Sequence, residues 1–306
     1  MSRSLEDRGV PLKLALEAMG TRFELVLVDD GARSSAELRA AGEQALEEIR
    51  ACDVRYSAFR RDSERSRVVR EATQPAGAVL GADFAALFAL CRELSRASGG
   101  AFDPALPAGL AAWDLDLGSR RARCRGDLPA LDFGAVAKGW ALDHAVATLM
   151  EAGVTRALLH GGTSSIAALG APPGRAGWSV ALRDPSRGAD AAPLARVELR
   201  DVSLGVSAPH GRRDEAGRGH VRDPRDGRSA EAPLACVVHP SAAIADAWST
   251  ALLVRASRAW EKPADADSIA APLPPWHGEE PTCLWLPHSG AQPLRRGPRA
   301  ELFVLP

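Results

Sequence analysis

The chain has 306 residues, enough for one large domain or two modest ones with a sizeable core. Thirty-eight basic and thirty-nine acidic side chains leave a formal charge of −1, so no basic footprint for nucleic acid or an anionic membrane is present, and a charged ligand must be held locally. No stretch of about twenty apolar residues occurs, so no membrane span is expected, and the opening "MSRSLEDRGVPLKLALEAMG" holds no apolar run of secretory length, which points to a cytoplasmic location. In chain order, "LKLALEAMGTRFELVLVDD" alternates like two short strands broken at Gly20, and a helical run follows from about Ser35 to Asp53. A second helix is expected over about Asp83 to Ser98, stopping at Gly99-Gly100, where glycine supplies a left-handed cap. "LDFGAVAKGWALDHAVATLM", residues 131–150, reads as a buried strand end running into a helix, with a further strand by residue 160. "SSIAALG", "WSVALRDP", "ARVELRD" and "VSLGVSA" are strand candidates in the pattern of an antiparallel sheet, and a helix is expected over about Ser241 to Ser257. Strands "CLWL" and "ELFVL" close the chain.

Several strands in succession, mixed with helices, argue α+β and not a doubly wound sheet. Residues 1–11 are expected to be a flexible N-terminus. Residues 12–306 are expected to form one domain that allows two subdomains, with the proline- and acid-rich 258–281 an irregular surface loop. Cys52, Cys91, Cys124, Cys236 and Cys283 are odd in number and show no CxxC spacing, so buried free thiols are expected in place of zinc or disulfides.

Four stretches carry charge where chemistry could use it. In "DFGAVAKG" the small residues Gly134, Ala135 and Ala137 let backbone approach a ligand, the following helix offers N–H groups and its positive dipole end, and Lys138 adds a point charge. That combination suits an anion such as phosphate, and taken alone it equally describes a solvated cap. In "IADAWSTALLV", Asp246 and Thr250 are four residues apart, which places a carboxylate and a hydroxyl on one helical face. Hard oxygen donors of this kind suit magnesium, while an aspartate cap with a threonine bonding back to its own helix is the plainer reading. "SGGAFDPAL" sets Asp103 after a double glycine, as a turn aspartate also would be. "GHVRDPRDGRSA" holds His220 and Asp223 beside an expected strand end. Neither a "GxGxxG" after a strand nor a "GxxxxGK[ST]" loop occurs, which removes support from ordinary dinucleotide and NTPase readings.

Taken in order, "MGT" at 19–21, "GGAFDP" at 99–104, "DFGAVAKG", "HVRDPRDG" and "ADAWST" resemble the motifs of the ApbE family, flavin transferases that move FMN from FAD onto a protein threonine or serine. The resemblance covers about residues 12–255. It implies an α+β, T-fold-like architecture of layered antiparallel sheets with packed helices. It implies that Met19, Ala101, Phe102, Asp103, Asp132 and Lys138, with backbone near Val221, line an FAD site, and that Phe59 takes the place of an aromatic that meets the nucleotide. The magnesium ligands it implies are the carbonyl of Ala135 with Asp246 and Thr250. His220 would be the general base, its unperturbed pKa near 6.5 letting it accept a proton at neutral pH. FAD is then a substrate, and the partner is a protein acceptor carrying a Thr/Ser motif.

The chain also departs from the family pattern. Thr163 in "HGGTSS" stands for a carboxylate, Val69 in "SERSRVV" for an asparagine, and "SAPHGRR" keeps Ser207 and Arg212 while losing a glycine and a tyrosine. Two functional classes therefore stay open: a magnesium-dependent FAD:protein FMN transferase, or a degenerate flavin- or nucleotide-binding protein that at most hydrolyses FAD.

Overall fold

Strand periodicity sets the central layer. The computed structural model describes residues 11–29, 31–126, 129–187, 191–209, 221–261, 279–288 and 290–305. Its elements begin with β1 (Leu12–Ala18), β2 (Thr21–Leu27), α1 (Ser35–Tyr56), α2 (Glu64–Glu71), β3 (Ala78–Val79), α3 (Ala82–Ala97), β4 (Trp113–Asp116), β5 (Arg121–Cys124) and α4 (Ala137–Glu151). The second half holds β6 (Ala157–Gly161), β7 (Ser165–Leu169), β8 (Trp178–Leu182), β9 (Ala195–Leu199), β10 (Ser203–Ser207), β11 (Leu234–His239), α5 (Ala242–Glu261), β12 (Thr282–Leu286), β13 (Leu294–Arg296) and β14 (Phe303–Val304).

Eight strands form one sheet in the order β1-β2-β6-β7-β10-β11-β12-β13, every neighbouring pair antiparallel. Successive side chains of a strand point to opposite faces, and this sheet buries both. Ala235 and Val237 of β11, with Cys283 and Trp285 of β12, join a core shared with α1, α3, α4 and α5. Their neighbours Leu234, Cys236, Val238, Leu284 and Leu286 join a second core under a three-stranded sheet, β14-β9-β8. A further small sheet, β3-β5-β4, closes over α3, where Phe88 meets Trp113 edge-on at 5.4 Å. Each such buried ring contributes about 1.5–3 kcal/mol. Helices on one face and antiparallel strands on the other make the α+β architecture expected from the sequence.

Three expectations change. Residues 131–133 are not a strand: Leu131 and Phe133 are buried, but the N–H of Asp132 donates to the Pro104 carbonyl at 2.6 Å and the Leu131 carbonyl accepts from Arg65 Nε, so a loop and a side chain stand where a neighbouring strand would pair. Helix α4 accordingly begins at Ala137, after a turn through Gly134-Ala135-Val136. The helix expected to end at Ser257 continues to Glu261. "ELFVL" is mostly a helical turn over Ala300–Leu302, and only Phe303–Val304 extend as strand.

Close backbone approach fixes how α4 and α5 cross. A Cβ on Gly139 would lie 2.2 Å from the Ala242 carbonyl oxygen, and one on Gly205 of β10 would lie 2.3 Å from the Ala245 carbonyl oxygen. Only glycine lets α5 settle against α4 on one side and the sheet on the other.

Candidate active site

Helix α4 starts without a side-chain cap of its own. Its third N–H, from Gly139, donates instead to Asp246 Oδ2 on α5 at 2.9 Å. The return contact comes from Asp143 on α4: Oδ1 accepts from the Ala242 N–H at 2.7 Å, and Oδ2 accepts from Ser241 Oγ at 2.6 Å and the Ala243 N–H at 3.1 Å. Each helix therefore supplies the carboxylate that satisfies the other's orphan N-terminal donors. Burial raises the Asp143 carboxyl, against the bonds that lower it.

Hydroxyls surround Asp246. Ser165 Oγ, at the first position of β7, donates to Oδ2 at 2.7 Å. One turn further along the same helix the Ser249 and Thr250 hydroxyls turn back to the Asp246 carbonyl at 2.8 and 3.3 Å, and Ser207 Oγ at the end of β10 lies 2.8 Å from Ser249 Oγ and 3.1 Å from Thr250 Oγ1. Burial pushes the Asp246 carboxyl up to about 6, opposed by the positive charge of Lys138. Lys138 Nζ donates to the Gly134 carbonyl at 3.2 Å, which arches the side chain back over the turn that carries Ala135. No bond to the Lys138 backbone N–H is present among the described residues, so this turn offers a free donor, a lysine and a helix dipole at one place.

The other motifs connect to this centre through named contacts. Asp103 accepts from the N–H groups of Ala105 at 2.8 Å and Leu110 at 2.9 Å, which organises the loop after the buried Ala101 and Phe102. The Pro104 carbonyl then takes the Asp132 N–H. Asp223 is buried and accepts from Arg225 Nε at 2.8 Å and from Arg258 Nε on α5, while Arg258 also reaches Asp226 at 2.8 Å. Burial opposes ionisation of Asp223, and the bonds from Arg225 and Arg258 outweigh it, holding the carboxyl below its usual range. Arg225 packs beside Gly100, 3.6 Å from where a Cβ would stand, so the 221–229 loop, the double glycine and α5 form one unit. Val221 lies half-buried against the first core. Met19 takes a left-handed φ of 51° in the β1–β2 turn, its N–H held by Asp53 Oδ1 at 2.8 Å. Phe59 lies on the loop before α2, 89% exposed. Thr163 is an exposed residue of the β6–β7 turn and Val69 is half-buried against the first core. His220 and Arg212 lie outside the described residues.

Sequence reasoning missed Asp143, Ser165 and Ser249. It also missed Asp83, on which the Tyr56 hydroxyl (2.6 Å), Trp140 Nε1 (3.1 Å), His144 Nε2 (2.9 Å) and Arg55 converge. Cys52, Asp83 and His144 lie within 4.8 Å of one another. A guanidinium already on the carboxylate and a thiol that burial pushes up to about 12 suit a structural knot under α4 better than a metal.

Residues 19–130 and 122–272 match the model of the ApbE family. The chain belongs to the ApbE family. Among curated relatives, an FAD:protein FMN transferase of Rhodobacter capsulatus is 30% identical over 217 residues, 60% of this chain and 40% of that protein. One of Treponema pallidum is 28% identical over 267 residues, 72% of this chain and 73% of that protein. The chain thus spans two fifths of the first relative's length and nearly three quarters of the second's. An ApbE protein of Thermotoga maritima superposes with a TM-score of 0.77 at 20% identity, over 97% of this chain and 100% of that one, which shows the ApbE fold. No helix among the described residues is long and apolar enough to cross a membrane.

Proposed function

We propose that this ApbE-family chain transfers FMN from FAD to a threonine or serine hydroxyl of a protein acceptor, with magnesium bound and AMP released. The observation that carries the reading is the buried Asp246 carboxylate at the mouth of α4, sharing a helical face with Thr250 and facing the charge of Lys138. The donor set fits a hard cation. Gly139 and Ser165 occupy Oδ2 and leave Oδ1 as a ligand, the Thr250 oxygen keeps lone-pair capacity, and a carboxyl raised by burial is stabilised in its charged form by a cation. Magnesium held by Asp246, Thr250 and the Ala135 carbonyl would offset the pyrophosphate charge and polarise phosphorus.

The remaining chemistry belongs to the chain. The Lys138 side chain and its open backbone N–H at the start of α4 hold phosphate oxygens, and Met19, Phe59, Ala101, Phe102, Asp103, Asp132 and the backbone at Val221 form the FAD-binding surface. His220 accepts the proton of the acceptor hydroxyl, whose oxygen attacks the FMN phosphorus as the bond to AMP breaks. A decayed homologue that binds or hydrolyses FAD without transfer is the second reading, favoured by Thr163 and Val69 at positions where the family pattern has a carboxylate and an amide.

Calorimetry should show FAD binding more tightly with magnesium than with chelator. In a denaturing gel, wild type given FAD, magnesium and the organism's own proteins should yield a flavin-fluorescent acceptor, and His220→Ala should suppress that band by roughly 10²–10⁴-fold while FAD still binds. Absence of any fluorescent band with wild type would select the decayed reading.

A further inference from the structure

Arg65 lies in the first turn of α2, two residues past the capping Ser63. Its Nε donates to the Leu131 carbonyl at 2.5 Å, which fixes the guanidinium beside the 131–134 segment that leads into α4. Four neighbouring arginines are engaged, Arg60 with Asp62 at 3.0 Å, Arg67 with Glu71 at 2.8 Å, Arg70 with the Arg61 carbonyl at 2.9 Å, and Arg55 with Asp83, while the side chain of Arg61 is exposed. Arg65 differs. It is half-buried, yet among the described residues its two terminal nitrogens donate to nothing and no ion pair involves it. The charge acting on it is Asp132, which partly offsets the lowering that burial imposes.

Asp132 is itself half-committed. Oδ1 accepts from the Gly134 N–H at 2.8 Å, and Oδ2 has no partner among the described residues. A fork of donors and a carboxylate acceptor thus stand side by side, neither satisfied by the other. Partial burial disfavours the Arg65 guanidinium charge, and an acceptor on a bound ligand would offset that cost. Phosphate would be drawn to Arg65 but repelled by Asp132, and the opposite end of the same turn already offers phosphate Lys138 and a helix N-terminus. The group that satisfies both is one with an acceptor and an N–H next to each other.

We propose that Arg65 and Asp132 grip the hydrogen-bonding edge of a heterocycle of the bound dinucleotide, Arg65 donating to a ring acceptor and Asp132 accepting from the adjacent N–H. This rests on the FAD reading above. FAD carries such an edge at both ends, as the imide of its flavin and the aminopyrimidine of its adenine.

The test is calorimetry on the full chain with magnesium, titrating FAD, riboflavin and ADP into wild type, Arg65→Gln and Arg65→Lys. Arg65→Gln should weaken FAD by about ten- to a hundredfold, the worth of a charge-assisted bond. It should weaken one fragment alike and leave the other within about twofold; loss with riboflavin assigns the flavin edge, and loss with ADP the adenine edge. Arg65→Lys keeps the charge and a donor for Leu131 but not the fork, so it should weaken the same fragment. Its unfolding midpoint without ligand should match wild type. Unchanged FAD affinity in both variants, full rescue by lysine, or an equal fall for both fragments would overturn the proposal while leaving the FAD reading intact. Failure of wild type to bind FAD would overturn both.

Discussion

The N–H of Gly139 meets the carboxylate of Asp246 at 2.9 Å, across a helix crossing that leaves no room for a side chain at 139. A single contact thus caps the start of one helix and positions the acidic group of the other. It follows that Gly139→Ala should destabilise, although alanine is ordinarily the better helix former by about 1 kcal/mol. The new Cβ would fall 2.2 Å from backbone, not from a flexible side chain, so a cost of about 1–3 kcal/mol is expected in urea unfolding. A midpoint at or above wild type would show that the crossing relaxes freely.

Asp246→Asn separates the two demands on that residue. The amide oxygen can still accept from Gly139 and Ser165, so the fold should persist. Its folded pKa is raised by burial, so the ionised carboxylate opposes folding above its unfolded pKa, and without magnesium the variant should be at least as stable as wild type at pH 8. Metal-dependent AMP release should fall by about 10²–10³-fold, the loss of several kcal/mol of charge stabilisation. Wild-type turnover in the variant would place the cation elsewhere.

Asp143→Ala removes the cap that α4 lends to α5 and should cost about 0.5–2 kcal/mol. Asp143→Asn keeps an acceptor and should recover most of it. Thermal melts of both variants decide the matter, and an alanine variant as stable as wild type would reduce the cap to coincidence.

The Asp83 knot has its own pH signature. Burial would raise the Asp83 carboxyl, but the bonds from His144 and Tyr56 and the charge of Arg55 hold it well below its usual value, so its contribution is present above about pH 3.9 and lost as pH falls through the folded value. The bond to Asp83 raises His144, so the histidine's contribution is present below about pH 6.5 and lost as pH rises through its folded pKa. The difference in urea midpoint between wild type and His144→Gln should therefore be widest near pH 5 and shrink toward pH 9. An equal gap at both would show that protonation of His144 adds nothing.

What could be read from the sequence follows from periodicity. Leu12 to Leu27 alternates because β1 exposes every second residue, and its two strands form where expected. "LACVVH" gave no such signal, since β11 is buried on both faces and its run of apolar residues has no period to detect. Helix α2 hid for the opposite reason: only Val68 of its eight residues is buried, and its start is set by Ser63 accepting from the Ser66 N–H. At the site, Asp246 and Thr250 were visible because polar residues interrupt an apolar helix. Asp143 and Ser165 were not, because each finds its partner about a hundred or eighty residues away and a serine before a strand looks like any turn. The Arg65 fork was equally hidden among six arginines between residues 55 and 70.

The long sheet must end somewhere, and its two rims are β1 and β13. At one rim β1 turns Lys13 and Glu17 outward; at the other β13 exposes Arg295 and Arg296. A second molecule adding a strand at either rim would have to bring its own chain past those charges, which is how natural sheets discourage open-ended stacking. Resistance to such stacking thus rests on four charged residues at the margins, and neutralising Arg295 and Arg296 together should make the protein aggregate while leaving each molecule's chemistry untouched.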